Sequence, residues 1–314
     1  MRRWRADEGR AERETEMTDP FKVDGPTIIS TSGGRTSGYM LWRVLQANGG
    51  KLPPDCYAVF CNTGLEHQNT LTFVHQIEER WCPVTWLEYR RIEVNAAKDM
   101  SADALDAGAA AEYKHSFAVV DYCHASRKGE PFEALIEAKN MLPNPRTRFC
   151  TSELKVRSKT RWARSIGWDH WDNFIGLRAD EMRRVINLTP DTKAETIKHP
   201  LAMGVVKMDV LAFWDSQPFN LNLPDDRYGN CVGCFLKGRR KLAAVARDTP
   251  EYLEWWARQE EETRQRTTKY NGERWNFRND RPTYRQMLTQ VSVQGRLLGD
   301  IGLDDETIPC MCSD

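Results

Sequence analysis

Cys231-Val232-Gly233-Cys234 sets two thiols three positions apart. That spacing lets two thiolates reach one metal ion or cluster, and it equally suits a redox dithiol. Cys150 stands roughly eighty residues earlier, beside Arg148 and just before a helical stretch, where a thiolate is stabilised. Cys310 and Cys312 flank Met311 near the end of the sequence. A four-thiolate site needs four donors. Cys150, Cys231 and Cys234 supply three, and Cys310 or Cys312 the fourth. Ser32-Gly33-Gly34-Arg35-Thr36-Ser37 offers different chemistry. Its glycines permit a tight turn and close backbone approach. Ser32, Thr36 and Ser37 add hydroxyls, and Arg35 adds a fixed charge. Between a strand and a helix, such a turn presents free N–H groups and a positive dipole end to an anion. The spacing is neither a Walker A loop nor Gly-x-Gly-x-x-Gly. Arg148, Lys155, Arg178, Arg183 and Arg184 would give a polyanion further partners.

The elements that must position these groups read as β-α-β. Thr27 to Ser30 is a β-branched, apolar strand, and the helical pattern runs from Thr36 to a stop at Gly49-Gly50. A second strand spans Cys56 to Phe60, a helix Asn69 to Trp81, and a third strand Val84 to Tyr89. Further helices are predicted over Ser101–Ala111, Glu133–Met141, Glu153–Arg164, from Asp209 to Trp214 and over Glu251–Arg266. Asn173 to Gly176 reads as another strand. Strands alternating with helices predict an α/β fold, a doubly wound parallel sheet with helices on both faces. A cysteine-containing, helical C-terminal extension follows. The expected organisation is an N-terminal extension over residues 1–22, a nucleotide-binding α/β domain over 23–202, and a C-terminal subdomain over 203–314.

Composition narrows the class. The chain has 314 residues, with 45 Lys plus Arg against 45 Asp plus Glu. Zero net charge argues against a general nucleic-acid binder and conceals a basic cluster that suits a small polyanion. Eleven Trp, eleven Phe and nine Tyr are too many for a disordered chain. No apolar run has the length of a membrane span. Nine cysteines, an odd number, speak against a fully paired disulfide framework. The Arg2-Arg3 pair is followed by no apolar segment, so it is not a secretion signal, and the chain reads as cytoplasmic, with Met17 a second candidate start. Cys56, Cys61, Cys82 and Cys123 read as small buried hydrophobes.

Five segments, in order, resemble the phosphoadenosine phosphosulfate (PAPS) reductase-like family of the adenine nucleotide alpha-hydrolase-like, or PP-loop, superfamily. Ser32 to Ser37 resembles the PP-loop itself, with Arg35 for Lys and Thr36 for Asp. Asn62-Thr63-Gly64 resembles its Asp-Thr-Gly segment, and Arg148-Phe149-Cys150-Thr151 with Lys155 its Arg-x-Cys…Lys segment. Gly176-Leu177-Arg178, followed by Arg183 and Arg184, and His199-Pro200-Leu201 complete the set. The resemblance implies a Rossmann-like fold and an adenine nucleotide (PAPS, APS or ATP) held by the PP-loop, Thr63-Gly64, Gly176 and the basic residues. It also implies a 4Fe-4S iron–sulfur cluster on Cys150, Cys231, Cys234 and a tail cysteine such as Cys312, with structural zinc as the alternative. Where that family has a Cys-Cys pair, this chain has Phe149-Cys150. The tail Pro309-Cys310-Met311-Cys312 is not the family's Glu-Cys-Gly-x-His motif.

Three functions are compatible with these residues. The first is reduction of an activated sulfate, with Cys310 or Cys312 as nucleophile and a thioredoxin-type dithiol as reductant. The second is a PP-loop ATP pyrophosphatase or sulfurtransferase using Mg²⁺, whose acceptor, a nucleic acid or small molecule, meets the basic helix from Lys155 to Arg164. The third is a non-catalytic nucleotide-binding accessory protein.

Overall fold

The computed structural model describes residues 19–93, 113–187, 191–266 and 275–294. The helix expected over Ser101–Ala111 and the tail cysteines Cys310 and Cys312 lie outside the described residues. In chain order the sheet strands are β1 (Thr27–Thr31), β2 (Cys56–Asn62), β3 (Val84–Glu93), β4 (Tyr113–Val120), β5 (Trp171–Ile175) and β6 (Glu195–Lys198). Helices α1 (Arg35–Ala47) and α2 (Gln68–Arg80) make the first crossovers. Then come α3 (Glu130–Lys139) and α4 (149–165), the latter with a π-helical stretch at Ser152–Arg157. A short α5 (Met182–Ile186) precedes β6, and α6 (Lys207–Asp215), α7 (Arg239–Asp248), α8 (Glu251–Arg266) and α9 (Tyr284–Gln294) complete the described helices.

The sheet order is β4-β3-β2-β1-β5-β6. Every pairing is parallel except β3 with β4. The chain winds outward from β1 to β3, then returns to the other side of β1 for β5 and β6. The order therefore reverses between β1 and β5, and open α/β sheets bind ligands outside the strand carboxyl ends at such a switch. The loops after β1 and β5 are Ser32–Gly34 and Gly176–Arg178, two of the segments singled out from the sequence.

Successive strand residues point to opposite faces, so a sheet covered on both sides needs apolar residues throughout. Ile29, Ala58 and Phe60 enter the core formed with α1, α2 and α6. Ile28, Val59 and Cys61 enter the opposite one, under Trp162, Trp168 and Trp171. A further core joins Phe132, Leu135 and Ile136 of α3 to Phe235, Leu253, Trp256 and Phe277. It is built from both sides of position 203, so the C-terminal cysteine turn is anchored to the middle of the chain.

Within that core Glu260 accepts backbone N–H bonds from Phe277 and Tyr284, at 3.2 and 2.9 Å. Burial still pushes its carboxyl up to about 7, from an ordinary 4.5. A carboxyl raised in the fold stabilises it fully below pH 4.5, and that contribution disappears as pH rises through 7. The loss is of order 3 kcal/mol over this window. Urea unfolding between pH 4.5 and 8 should show the decline in the native chain and a flatter profile in Glu260→Gln.

Candidate functional site

A cavity of about 430 Å³ opens at the switch point. Ser32, Gly33, Gly34, Arg35 and Thr36 form one end of its wall. Gly33 has φ +81°, and Gly34 caps α1 without any side-chain hydrogen bond. The first turn of α1 carries no acidic residue. Backbone N–H groups there have no helical acceptor, so they suit an anion. Ser37 braces the turn from behind: its Oγ accepts from Ser32 N–H and donates to Gly34 O, each 3.0 Å.

The loop after β5 closes against this turn. A Cβ on Gly176 would sit 3.1 Å from Ser37 Cα, so the two backbones approach closely enough that a side chain there would push them apart by a few tenths of an ångström. Arg178, 7% exposed, donates from Nη1 to Thr36 Oγ1 at 2.8 Å and from Nε to Asp180 at 2.9 Å. Its second ion pair is with Glu181, which also pairs with Arg184. Arg178 and Arg184 line the cavity, whereas Arg183 is exposed and lies outside its wall. The guanidinium of Arg35 donates to Asn220 Oδ1 and Leu221 O, at 2.8 and 2.7 Å. Its charge lines the cavity while bracing the far loop, a role the motif alone did not show.

The other end of the same cavity is formed by Asn230, Cys234, Lys237 and Lys241. Thr63 and Gly64, expected at the nucleotide, lie outside the wall and support the cysteine turn instead. Thr63 Oγ1 donates to Glu66 Oε1 at 2.8 Å and stands 3.2 Å from Cys231 Sγ. Val232 N donates to Leu65 O at 2.8 Å. Lys155 also falls here rather than on the cavity wall, and its charge draws down the Cys231 thiol. Burial first, then Glu66, push that thiol well above its ordinary value, against Lys155 and the Thr63 hydroxyl. Arg148 is exposed and outside the wall.

Lys237 was not singled out from the sequence, although it stands three residues after Cys234. Its ammonium donates to Arg227 O, Gly229 O and Cys231 O, at 2.6, 2.7 and 3.0 Å. Those three bonds clamp the loop that carries both cysteines. Burial lowers the ammonium to about 8, opposed by the neighbouring Cys234 and Cys231.

Cys150, Cys231 and Cys234 all border the third core. Yet among the described residues no three His, Cys, Asp or Glu side chains converge on a point that can hold a metal. The described thiols by themselves thus supply no four-thiolate centre, and the expected fourth donors, Cys310 and Cys312, lie outside the described residues. Cys56, Cys61 and Cys82 are buried as expected, whereas Cys123 is exposed because its turn projects from the edge after β4.

No known protein-family profile matches the chain. The "Uncharacterized nin region protein ORF290" of Escherichia phage lambda is 30% identical over 223 residues, spanning 70% of this chain and 69% of that protein. The chain belongs to the ORF290 family. Solved structures similar to this ORF290 relative include the PAPS reductase of Candida auris in its phosphate complex. That likeness has TM-score 0.34 and 13% identity, over 63% of this chain and 76% of the reductase. Another is the U34-tRNA thiolase NcsA of Methanococcus maripaludis with its 4Fe-4S cluster. There the TM-score is 0.31 and the identity 13%, over 93% of this chain and 80% of the thiolase. No helix among the described residues is long and apolar enough to cross a membrane.

Proposed function

We propose that the chain is a PAPS-reductase-like enzyme that binds an adenine nucleotide at the switch point and reduces its activated sulfate through a cysteine thiolate. One observation carries this reading: the glycine turn before α1 and a thiol, Cys234, share one cavity. Its volume, about 430 Å³, falls in the range of small-ligand sites. Val210, Leu211, Leu221 and Leu223 give it apolar wall for a base. The cations Arg178, Arg184, Lys207, Lys237 and Lys241 outnumber the acids Glu181 and Asp226. Their field would offset charge on the phosphates and on the leaving group, while Arg178, Arg184, Lys237 and Lys241 keep partners within the protein. The turn amides would hold the anionic end, and Arg178 would fix the turn by its bond to Thr36.

In the reduction, a thiolate attacks the sulfate sulfur. The sulfur–oxygen bond to phosphate breaks, and the nucleotide leaves with its electron pair. A thioredoxin-type dithiol then releases sulfite and restores the thiol.

In the basic helix considered for an ATP-dependent transfer to nucleic acid, Arg157, Lys159 and Arg161 have partners within the fold. Arg157 and Arg161 pair with the buried Glu153, as does Lys139 of α3, and Lys159 reaches Ser30. Product analysis separates the readings. With dithiothreitol, PAPS or APS is expected to yield sulfite, and ATP with Mg²⁺ no pyrophosphate. Pyrophosphate without sulfite would overturn the reductase in favour of an ATP pyrophosphatase or sulfurtransferase. Neither product, with nucleotide still bound, would leave the accessory-protein reading.

A further inference from the structure

Among the described residues no third metal donor joins the two thiols of the cysteine turn, and its geometry points to another use. Cys234 N–H donates to Cys231 O at 3.2 Å, and Gly233 takes φ +78° inside the turn. A turn closed in this way keeps its end Cα atoms within about 7 Å, the span a disulfide bridges. Cys234 lines the cavity and Cys231 does not. Cys231 stands behind it, against Thr63 on the loop after β2. Lys237 holds the loop in this shape by three carbonyl bonds, and Tyr284 Oη donates to Gly233 O at 2.6 Å.

We infer that Cys234 and Cys231 are the redox dithiol of the site, Cys234 attacking and Cys231 resolving, in place of a pair of cluster ligands. The inference rests on the reductase reading above. Cys234 thiolate attacks the sulfate sulfur, the sulfur–oxygen bond breaks, and the nucleotide departs with the electron pair. The product is a Cys234 thiosulfonate. Cys231 loses its proton to solvent and attacks Cys234 Sγ. The bond to the sulfonate sulfur breaks, and sulfite leaves with its electron pair. The sulfate sulfur gains two electrons, supplied as two thiols become one disulfide. An external dithiol, such as dithiothreitol, reduces that disulfide for the next turnover. The first turnover needs none, which distinguishes this scheme from release by an outside reductant.

The test uses the full chain, reduced anaerobically, freed of reductant and mixed with PAPS or APS. Expected are about one sulfite per chain and a mass loss of about 2 Da mapping to a Cys231–Cys234 disulfide. Cys231→Ser should instead trap an adduct of about 80 Da on Cys234. Cys310→Ser/Cys312→Ser should keep the burst. An adduct on Cys310 or Cys312, with no Cys231–Cys234 disulfide, would overturn the dithiol and leave the reductase reading intact. Stoichiometric iron and sulfide in the native chain, lost in Cys231→Ser, would likewise overturn it. No sulfite and no adduct from any variant would overturn the reductase reading itself.

Discussion

Gly33→Ala is expected to cost the protein several kcal/mol and to abolish nucleotide binding. At φ +81° an L side chain pays roughly 1–2 kcal/mol for the left-handed backbone alone. The new Cβ would also stand 2.5 Å from Thr70 Cγ2 and 3.3 Å from Phe60 Cε2. Phe60 is held in the sheet core, so the turn must give way. Displacing it moves the amides of Ser32 to Gly34 that line the cavity. Overpacking of this kind costs about 1–3 kcal/mol more. Urea unfolding would measure the stability, and titration with adenosine 3′,5′-bisphosphate the binding. The double variant Gly33→Ala/Thr70→Ser removes the methyl and should recover part of the stability. Full binding by Gly33→Ala would show that the turn does not hold the ligand.

The second large effect is at Arg178. It bonds Thr36, Asp180 and Glu181 at once, from a side chain only 9% exposed. Arg178→Met leaves Glu181 with Arg184 and frees the start of α1 from the loop after β5. Breaking a buried, hydrogen-bonded charge pair costs about 3–5 kcal/mol. Nucleotide affinity should fall by about a hundredfold or more, equivalent to roughly 3 kcal/mol. Arg178→Lys should not restore it, because a point ammonium cannot span Asp180 and Thr36 as the guanidinium fork does. Unchanged affinity in both variants would place the ligand elsewhere.

The first half of the sheet was legible because β1 and β2 are buried on both faces and rich in β-branched and apolar residues, and Val84 to Tyr89 alternates as a strand does. The strand expected at Asn173 to Gly176 is β5, Trp171–Ile175, and the helix over Glu251–Arg266 matches α8. The edge strands were not legible. β4 is half-exposed along most of its length, and β6 is only Glu-Thr-Ile-Lys. Neither presents a buried face that forces alternation. The charged run after Cys150 reads as a solvated helix, yet Glu153 buries its carboxylate among three cations there. The backbone widens locally to a π-helix, where Ser158 Oγ bonds Glu153 O at 2.9 Å.

For the site, the glycine turn and the cysteine pair were each visible, but their sharing one cavity was not. That depends on the antiparallel bridge of Glu66 with Cys231, which joins residues 165 positions apart. Thr63, read as a nucleotide contact, instead stands between Glu66 and Cys231, the two residues of that bridge. Lys237 carried no motif. Its role follows from three carbonyls that only the folded loop brings together.

The most direct test of a shared nucleotide and thiol cavity is the alkylation rate of each cysteine by iodoacetamide, read by peptide mass spectrometry. Saturating adenosine 3′,5′-bisphosphate should slow Cys234 by about tenfold or more while leaving the exposed Cys123 unchanged. Equal rates at Cys234 with and without bound nucleotide would contradict the account.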